Sequence, residues 1–114
     1  MPLSENLRAR VEERMARFCR ERVPEHARHQ VRLSYKLWGN HVTLIEERIA
    51  FLEPGVWVDI PVAQFRFDPE DTLWRLYWSD RNDRWHAYWD VDPARDLEPL
   101  LAEVDEDPTG IFWG

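Results

Sequence analysis

The sequence has little cysteine, lysine or glycine, and each scarcity excludes a class of chemistry. Cys19 is the only cysteine among 114 residues, so no disulfide can form within the chain, as expected in a reducing cytoplasm. Lys36 is the only lysine among 15 basic residues, which excludes a Walker A phosphate loop and a Schiff-base pocket in which a second amine activates the lysine. The four glycines are isolated from one another, so the chain has no glycine-rich phosphate cradle.

Long apolar runs are absent as well. The longest stretch without Asp, Glu, Lys or Arg covers residues 37–45, whereas a helix that crosses a bilayer needs about 18 or more apolar residues. The first residues show no basic segment followed by an apolar one, as a signal peptide would. We therefore expect a cytoplasmic protein without a membrane partner. With 44% hydrophobic residues, the chain can form a core, and its length fits a single domain over residues 1–114.

Charge is distributed unevenly along the chain. The net charge is -7, but residues 1–36 carry nine basic and five acidic side chains, whereas residues 90–114 carry one and eight. An arginine-rich start can indicate nucleic-acid binding, but a molecule of this net charge repels a polyanion, which disfavours nucleic acid as a partner. The simpler interpretation is that the basic start packs near the acidic end, or that both are solvated.

Two amphipathic helices are predicted, one near each end. Ser4 can cap the first helix, and Pro24 ends it because proline pushes the preceding residue towards extended geometry. Asp96 is the expected cap of the last helix, with Pro99 in the first turn, where proline is tolerated. Residues 105–107 are all acidic and crowd the end of this helix, where its dipole disfavours negative charge. That placement indicates a nearby arginine or a partner.

Alternating apolar and polar residues between the helices predict a five-stranded antiparallel meander. The first hairpin turns at Gly39-Asn40, and in that register Leu37 faces Val42 and Arg32 faces Glu47. Apolar side chains then oppose apolar ones and opposite charges meet, so the register is self-consistent.

Four-residue loops at 68–71 and 80–83 are expected to join the last three strands, residues 62–67, 72–79 and 84–89. The resulting register brings large side chains together in four pairs: Phe65 with Trp74, Trp78 with Trp85, Leu76 with Ala87, and Trp74 with Trp89. Four exposed indoles would exceed the apolar patch that monomers usually show, so we assign all four to the core. An exposed platform that stacks nucleic-acid bases is the alternative.

The opposite face of these strands carries the one site-like group of residues in the sequence. The group comprises Arg66, Arg75, Tyr77, Arg84, His86 and Tyr88. Guanidinium groups match carboxylates or phosphates bidentately, which predicts recognition of an anionic group and loss of binding in Arg75→Ala. A solvated face on which arginines stack on tyrosines is the purely structural alternative.

Signals for catalysis and for metals are weaker. His86, beside Tyr77, is the one candidate general base. Cys19, His26 and His29 lack the second ligand pair that zinc sites usually have, so we expect no metal, and the helical position of Cys19 indicates an inert thiol. No motif points to a cofactor, and none is expected.

Several stretches resemble a family of short bacterial proteins that is catalogued only as a domain of unknown function. The resemblance rests on VAQFRFD (residues 62–68), WRLYWSDRN (74–82), RWHAY (84–88), the C-terminal DPTGIFWG (107–114) and the hairpin around residues 39–44. It covers most of the chain. It implies a bacterial source and a compact single domain, but no activity, substrate or cofactor.

The sequence thus predicts an α+β protein with an N-terminal helix, a five-stranded antiparallel meander, a C-terminal helix and a docked aromatic tail. We expect a non-enzymatic binding or interaction module whose partner is a protein or a small anionic ligand. The alternative is an RNA- or phosphodiester-cleaving enzyme similar to small bacterial RNase toxins, with His86 as the base. The tail, residues 111–114, packs on its own chain or docks on a partner.

Overall fold

The computed structural model describes residues 3–53 and 55–113. The elements are α1 (Glu5–Arg22), a short 3₁₀ helix (Glu25–Ala27), β1 (Val31–Trp38), β2 (His41–Ile49), β3 (Trp57–Asp68), β4 (Leu73–Ser79), β5 (Trp85–Ala87) and α2 (Glu98–Glu106). The strands form one antiparallel sheet in sequence order, which confirms the predicted α+β architecture. Among the described residues, no helix combines the length and the apolar composition that a membrane span requires.

Helix α1 begins and ends where the sequence predicts. The backbone N–H of Leu7 donates to Ser4 Oγ at 3.3 Å, which satisfies one of the free donors of the first turn. The residue before Pro24 is extended, as expected of a residue before proline. The helix buries Val11, Met15 and Phe18, so its apolar side packs into the core.

The β1–β2 hairpin has the predicted register. Leu37 lies opposite Val42, and Arg32 lies opposite Glu47. Gly39 has a φ of +59°, a conformation that costs glycine little and allows the tight turn.

The β3–β4 loop lies one residue later than predicted. It covers residues 69–72, and the N–H of Thr72 donates to the carbonyl of Asp68 at 2.8 Å. Both strand ends therefore move by one residue and the register moves by two, which keeps every side chain on its predicted face. The pairs are Phe65 with Leu76 and Phe67 with Trp74, so the predicted pair of Phe65 with Trp74 is wrong.

The β4–β5 loop is one residue shorter than predicted, and this reverses the faces of β5. The N–H of Asp80 donates to the carbonyl of Arg84 at 2.9 Å, which leaves a three-residue loop, 81–83, whose last residue, Asp83, has a φ of +60°. A register shift of one residue moves every side chain of a strand to the other face. The pairs are Ser79 with Trp85, Tyr77 with Ala87 and Trp78 with His86, and not the predicted Trp78 with Trp85 and Leu76 with Ala87.

The four indoles are consequently not all in the core, as the sequence predicts. Trp74 is 1% exposed and packs against Phe67 with ring centroids 5.1 Å apart. Trp78 and Trp85 are half-buried, and Trp89 is 84% exposed. The core lies between the two helices and one face of the sheet.

The acidic end of the chain pairs with the basic start. Arg14 forms a two-pronged contact with Glu98, and Arg22 Nε lies 2.9 Å from Asp105 Oδ1. The nearby arginine that the acidic helix end predicts is therefore present. The expected Asp96 cap is wrong, because Leu97 occupies the capping position of α2 and makes no side-chain cap bond.

The aromatic tail packs on its own chain. Phe112 is buried, and Trp113 Nε1 donates to the carbonyl of Val104 at 2.7 Å. The carboxylate of Asp107 accepts from the backbone N–H groups of Phe112 at 3.1 Å and Trp113 at 3.0 Å. This fixes the tail against α2, with Gly114 outside the described residues.

Candidate functional site

The face of the sheet that points away from the helices is called here the outer face, and it has two parallel rows of polar and aromatic side chains. Residues opposite one another across β1–β4 form the rows Trp38–His41–Arg66–Arg75 and Lys36–Thr43–Gln64–Tyr77. Neighbouring strands lie about 4.8 Å apart, so side chains within a row are in reach of one another.

Arg66 is the best-positioned cation on the outer face. Its Nε donates to Gln64 Oε1 at 2.7 Å, and Gln64 Nε2 in turn donates to Thr43 Oγ1 at 2.9 Å. Its guanidinium carbon lies 3.9 Å from the ring centroid of Tyr77, a cation–π contact. Among residues 3–53 and 55–113, no ion pair joins Arg66 to a carboxylate. The guanidinium is thus held in one orientation while its charge stays uncompensated.

His41 lies directly opposite Arg66 on the neighbouring strand. Burial, and then the positive charge of Arg66, lower the pKa of His41 below its usual value. The imidazole is therefore neutral at pH 7, where it can donate one hydrogen bond and accept another. The fixed positive charge in this part of the outer face comes from Arg66.

Arg75 lies beside Arg66, but it is already paired. Its Nη2 is 2.6 Å from Asp71 Oδ2, and its Nη1 is 3.7 Å from Asp68 Oδ2. The bond from Arg75 also lowers the pKa of Asp71. Asp68 ends β3 and Asp71 lies in the β3–β4 loop, so both carboxylates are close to Arg75 at the start of β4. Because Arg75 is paired with them, it offers less positive charge to a ligand than the sequence predicts.

The other three predicted site residues do not join Arg66. The one-residue shift in β5 turns His86 to the side that carries Trp78, and Tyr88 is buried, with its hydroxyl donating to Glu103 Oε2 at 2.6 Å. Burial, and then the bond to Glu103, raise the pKa of Tyr88 to about 12. Arg84 lies at the exposed β4–β5 turn. Arg66, Arg75 and Tyr77 are therefore the predicted site residues that come together.

His86 belongs to a separate small cluster. Its Nε2 lies 2.7 Å from Asp80 Oδ2, and its ring stacks on Trp78 with centroids 4.6 Å apart and planes inclined by 26°. The bond from His86, helped by the backbone N–H of Arg84, lowers the pKa of Asp80 to about 2. A carboxylate that orients an imidazole is the arrangement that general bases use, but this imidazole and Arg66 are on opposite faces of the sheet.

Cys19 and the two nearby histidines give no support for metal chemistry. Burial raises the pKa of the Cys19 thiol to about 11, so the sulfur stays protonated at neutral pH and is a poor ligand and nucleophile. His26 and His29 are exposed. In the part of the chain that is described, no three His, Cys, Asp or Glu side chains are grouped to hold a metal ion.

Sequence reasoning missed the aromatic rim of the outer face. Trp38 begins the row that contains Arg66 and is 84% exposed. Trp89 is equally exposed and borders a small groove with Arg75 and Tyr77. The Gly39-Asn40 turn already implied the position of Trp38, because that register fixes which face each residue of β1 occupies.

Comparison with known proteins places the chain in a family. No curated protein and no solved structure matches it. One family model, described as a domain of unknown function (DUF3024), matches residues 3–114, which confirms the resemblance seen in the sequence. The chain therefore belongs to the DUF3024 family.

Proposed function

We propose that this protein is a non-enzymatic binding module that recognises an anionic group, a carboxylate or a phosphate, at Arg66 on the outer face of the sheet. The observation that supports this most is the state of Arg66, which Gln64 and Tyr77 hold in place while no described carboxylate neutralises it. An arginine oriented before binding loses less conformational freedom when a ligand binds, and its remaining N–H groups suit two acceptor oxygens.

The surroundings of Arg66 favour a ligand that also has an apolar or flat part. Tyr77 supports the guanidinium from one side, and the exposed indole of Trp38 lies two strands away in the same row. Indoles provide contact area with few rotatable bonds. The neutral His41 between them can donate to the ligand or accept from it.

The proposal is tested by NMR titration of the ¹⁵N-labelled protein with inorganic phosphate and with citrate, following the side-chain Nε–H of Arg66. We expect perturbations around Arg66 and at least tenfold weaker binding in Arg66→Ala, because a bidentate bond between charged groups contributes about 1.5–3 kcal/mol. Arg66→Lys keeps the charge but loses the planar fork, so it should also bind weakly.

Two controls make this test specific. Arg10→Ala removes the same charge from an exposed position on α1 and should leave the affinity within a factor of two. Arg75→Ala should have a smaller effect than Arg66→Ala, in contrast to the prediction from sequence, because Arg75 is paired with Asp71. Equal affinities in Arg66→Ala and the wild type for both anions would refute the proposal.

Cleavage of RNA or another phosphodiester is the second candidate, and the contact between His86 and Asp80 is the observation that favours it. Such an enzyme needs its base and its phosphate-binding group at one place, whereas His86 and Arg66 lie on opposite sides of the sheet. We therefore prefer the binding function. If the chain is an RNase toxin, its expression arrests growth and His86→Ala relieves the arrest; growth unaffected by expression argues against this candidate.

A further inference from the structure

β1 lies at one end of the sheet, and among the described residues no strand pairs with its far side. In an antiparallel ladder, alternate residues direct their backbone N–H and C=O groups to the same side. Trp38 and His41 close the two-residue turn, and the carbonyl of Gln30 accepts the N–H of Ile49 at 3.4 Å, so the even-numbered residues of β1 bond to β2. The odd-numbered residues therefore direct their backbone groups away from the sheet: Val31, Leu33, Tyr35 and Leu37. This side of the strand is called here the β1 edge.

A groove of about 350 Å³ lies between the start of β1 and helix α1. The helix contributes Ala16, Cys19 and Val23 to it, and the strand contributes Val31 and Leu33. The two strand residues are half-buried, so part of their apolar surface remains accessible from the groove. A strand added along the β1 edge would place alternate side chains against this surface, beneath α1.

Four exposed cations border the β1 edge: Arg20, Arg28, Arg32 and Lys36. Arg20 and Arg28 line the groove, and Arg28 Nη2 donates to the carbonyl of Arg20 at 3.0 Å, which holds Arg28 against the end of α1. Arg32 and Lys36 belong to the even-numbered set, so their side chains lie on the outer face. Positive charge is thus present on both sides of the unpaired backbone.

Few carboxylates offset these charges. Among residues 3–53 and 55–113, Arg32 pairs with Glu47 at 3.8 Å, and the other three cations take part in no ion pair. Burial, and then the charge of Glu12, raise the pKa of Tyr35, which places that carboxylate further along β1, and Arg8 lies 3.6 Å from it. The edge therefore carries an excess of positive charge, although the whole chain is acidic.

We infer that the β1 edge binds an extended acidic segment of a partner protein, which pairs antiparallel with β1 as an additional strand. A strand supplies backbone N–H and C=O groups at the spacing that the unpaired groups of the edge require. The bordering cations then select an acidic strand, because opposite charges on facing residues stabilise a strand pair. This surface is distinct from the anion site proposed at Arg66.

The register determines the sequence pattern of the partner segment. The residues opposite Arg32 and Lys36 are four apart and lie on the outer face, where acidic side chains fit. Those opposite Leu33 and Tyr35 point to the helix side, where apolar side chains pack beneath α1. The residue opposite Val31 also points to the helix side, close to the two arginines of the groove, and is therefore expected to be acidic.

A second copy of this chain fits the β1 edge poorly. The antiparallel register that overlaps residues 31–37 of both copies places Arg32 opposite Lys36 twice, and like charges directly opposite each other destabilise a strand pair. Charged side chains on edge strands commonly prevent such self-pairing. The same two cations that oppose a second copy favour an acidic segment.

Fluorescence anisotropy of a labelled peptide tests this inference. The probe Ser-Val-Glu-Val-Thr-Val-Glu-Glu-Ser has the required pattern, with its glutamates opposite Lys36, Arg32 and Val31. We expect saturable binding to the full chain at about 150 mM salt, and at least fivefold weaker binding when glutamine replaces all three glutamates. Absence of binding at about 1 mM protein would overturn the inference, as would equal affinities for the two peptides.

Methylation of single peptide nitrogens tests strand pairing without any change in the protein. N-methylation of the sixth peptide residue, opposite Leu33, removes an N–H that points to the β1 edge and should abolish binding. N-methylation of the fifth residue, opposite Ser34, removes an N–H that points away from β1 and should weaken binding less than threefold. Equal effects of the two modifications would exclude pairing at this edge.

Variants of the chain locate the binding surface. Lys36→Glu should weaken peptide binding at least fivefold, whereas Arg10→Glu, a matched charge reversal at an exposed position of α1 that lines a different groove, should leave the affinity within a factor of two. Arg66→Ala should also leave it unchanged, so this inference and the proposed anion site can fail separately. Wild-type affinity in Lys36→Glu would overturn the inference. A wild-type dimer that excess peptide dissociates in sedimentation equilibrium would identify a second copy as the occupant and would also overturn it.

Discussion

Asp107, at the end of α2, provides a stability test of the fold because its backbone is left-handed and its carboxylate binds the C-terminal tail. Asp107 has a φ of +46°, a left-handed conformation that costs a residue other than glycine about 1 kcal/mol. Its side chain accepts the backbone N–H groups of Phe112 and Trp113. Each of these bonds, in a half-buried setting, contributes about 1 kcal/mol net. Asp107→Ala loses both bonds and retains the strain, so we expect a loss of about 2 kcal/mol in the free energy of unfolding.

Two further variants separate the hydrogen bonds from the strain. Asp107→Gly loses the same bonds but removes the left-handed strain, so its loss should be about 1 kcal/mol. Glu106→Ala is the matched control: it removes an exposed carboxylate of the same turn and should be neutral or stabilising by about 0.3–1 kcal/mol, because negative charge is unfavourable at a helix C-terminus.

The assay is urea unfolding at pH 7, followed by tryptophan fluorescence. Two outcomes of this assay would contradict these expectations. A stability of Asp107→Ala within 0.3 kcal/mol of the wild type, on the order of the error of such measurements, would show that the tail bonds contribute nothing. A glycine variant less stable than the alanine variant would show that the left-handed conformation is not strained.

Three other variants have expected outcomes that the same unfolding assay measures. Trp74→Ala should cost about 3–5 kcal/mol and Trp89→Ala less than about 0.5 kcal/mol, because the first indole is 1% exposed and the second 84%; similar losses would contradict the observed register. Arg14 lowers the pKa of Glu98 below its ordinary value of 4.5. The pair therefore stabilises the fold at pH values above 4.5, and this contribution is lost as the pH falls through the lowered pKa. Glu98→Gln should therefore be less stable than the wild type at pH 7, by less than about 1 kcal/mol for so exposed a pair, and equal to it at pH 2.5; a gap independent of pH would refute this. Tyr88→Phe should cost about 1 kcal/mol and reduce the absorbance change near pH 12, while Tyr35, whose pKa burial also raises, continues to titrate; an amplitude equal to that of the wild type there would refute the assignment to Tyr88.

The elements that the sequence predicted correctly are those fixed by local chemistry. Ser4 and Pro24 mark the ends of α1 because capping and the restriction before proline act within a few residues. Gly39-Asn40 sets the first hairpin because few other dipeptides adopt a two-residue turn so readily. In both places the deciding contacts lie close in sequence.

The start of β3 could not be predicted in this way. Val56 and Trp57 appear in the sequence as part of an irregular connection, and Pro61 argues against a central strand. In the structure, Pro61 lies on the open edge, where a missing N–H costs nothing, and the bulge at Leu44/Ile45 adjusts the register. The first half of β3 forms because it pairs with β2. Its other side is not covered by β4, and nothing in the sequence indicates that this side is free.

The site residues were partly misplaced because of a single residue in the β4–β5 turn. Asp80 holds a three-residue loop through its own side chain, and Asp83 takes the left-handed position that glycine usually signals. The predicted register also put more aromatic rings on the core side, which made it look better than the actual one. In the actual register Tyr88 enters the core, where Glu103 satisfies its hydroxyl.

The rule that large apolar side chains belong inside does not hold for all the tryptophans of this chain. The core, as the structure has it, needs only one fully buried indole, Trp74, and the register leaves Trp85 and Trp89 on the outside. Apolar area left exposed in a monomer often marks an interaction site. Beside Arg66, whose charge has no described partner, the exposed indoles of the outer face form a surface suited to a ligand. The aromatic residues that misled the register prediction therefore border the place where we propose that an anion binds.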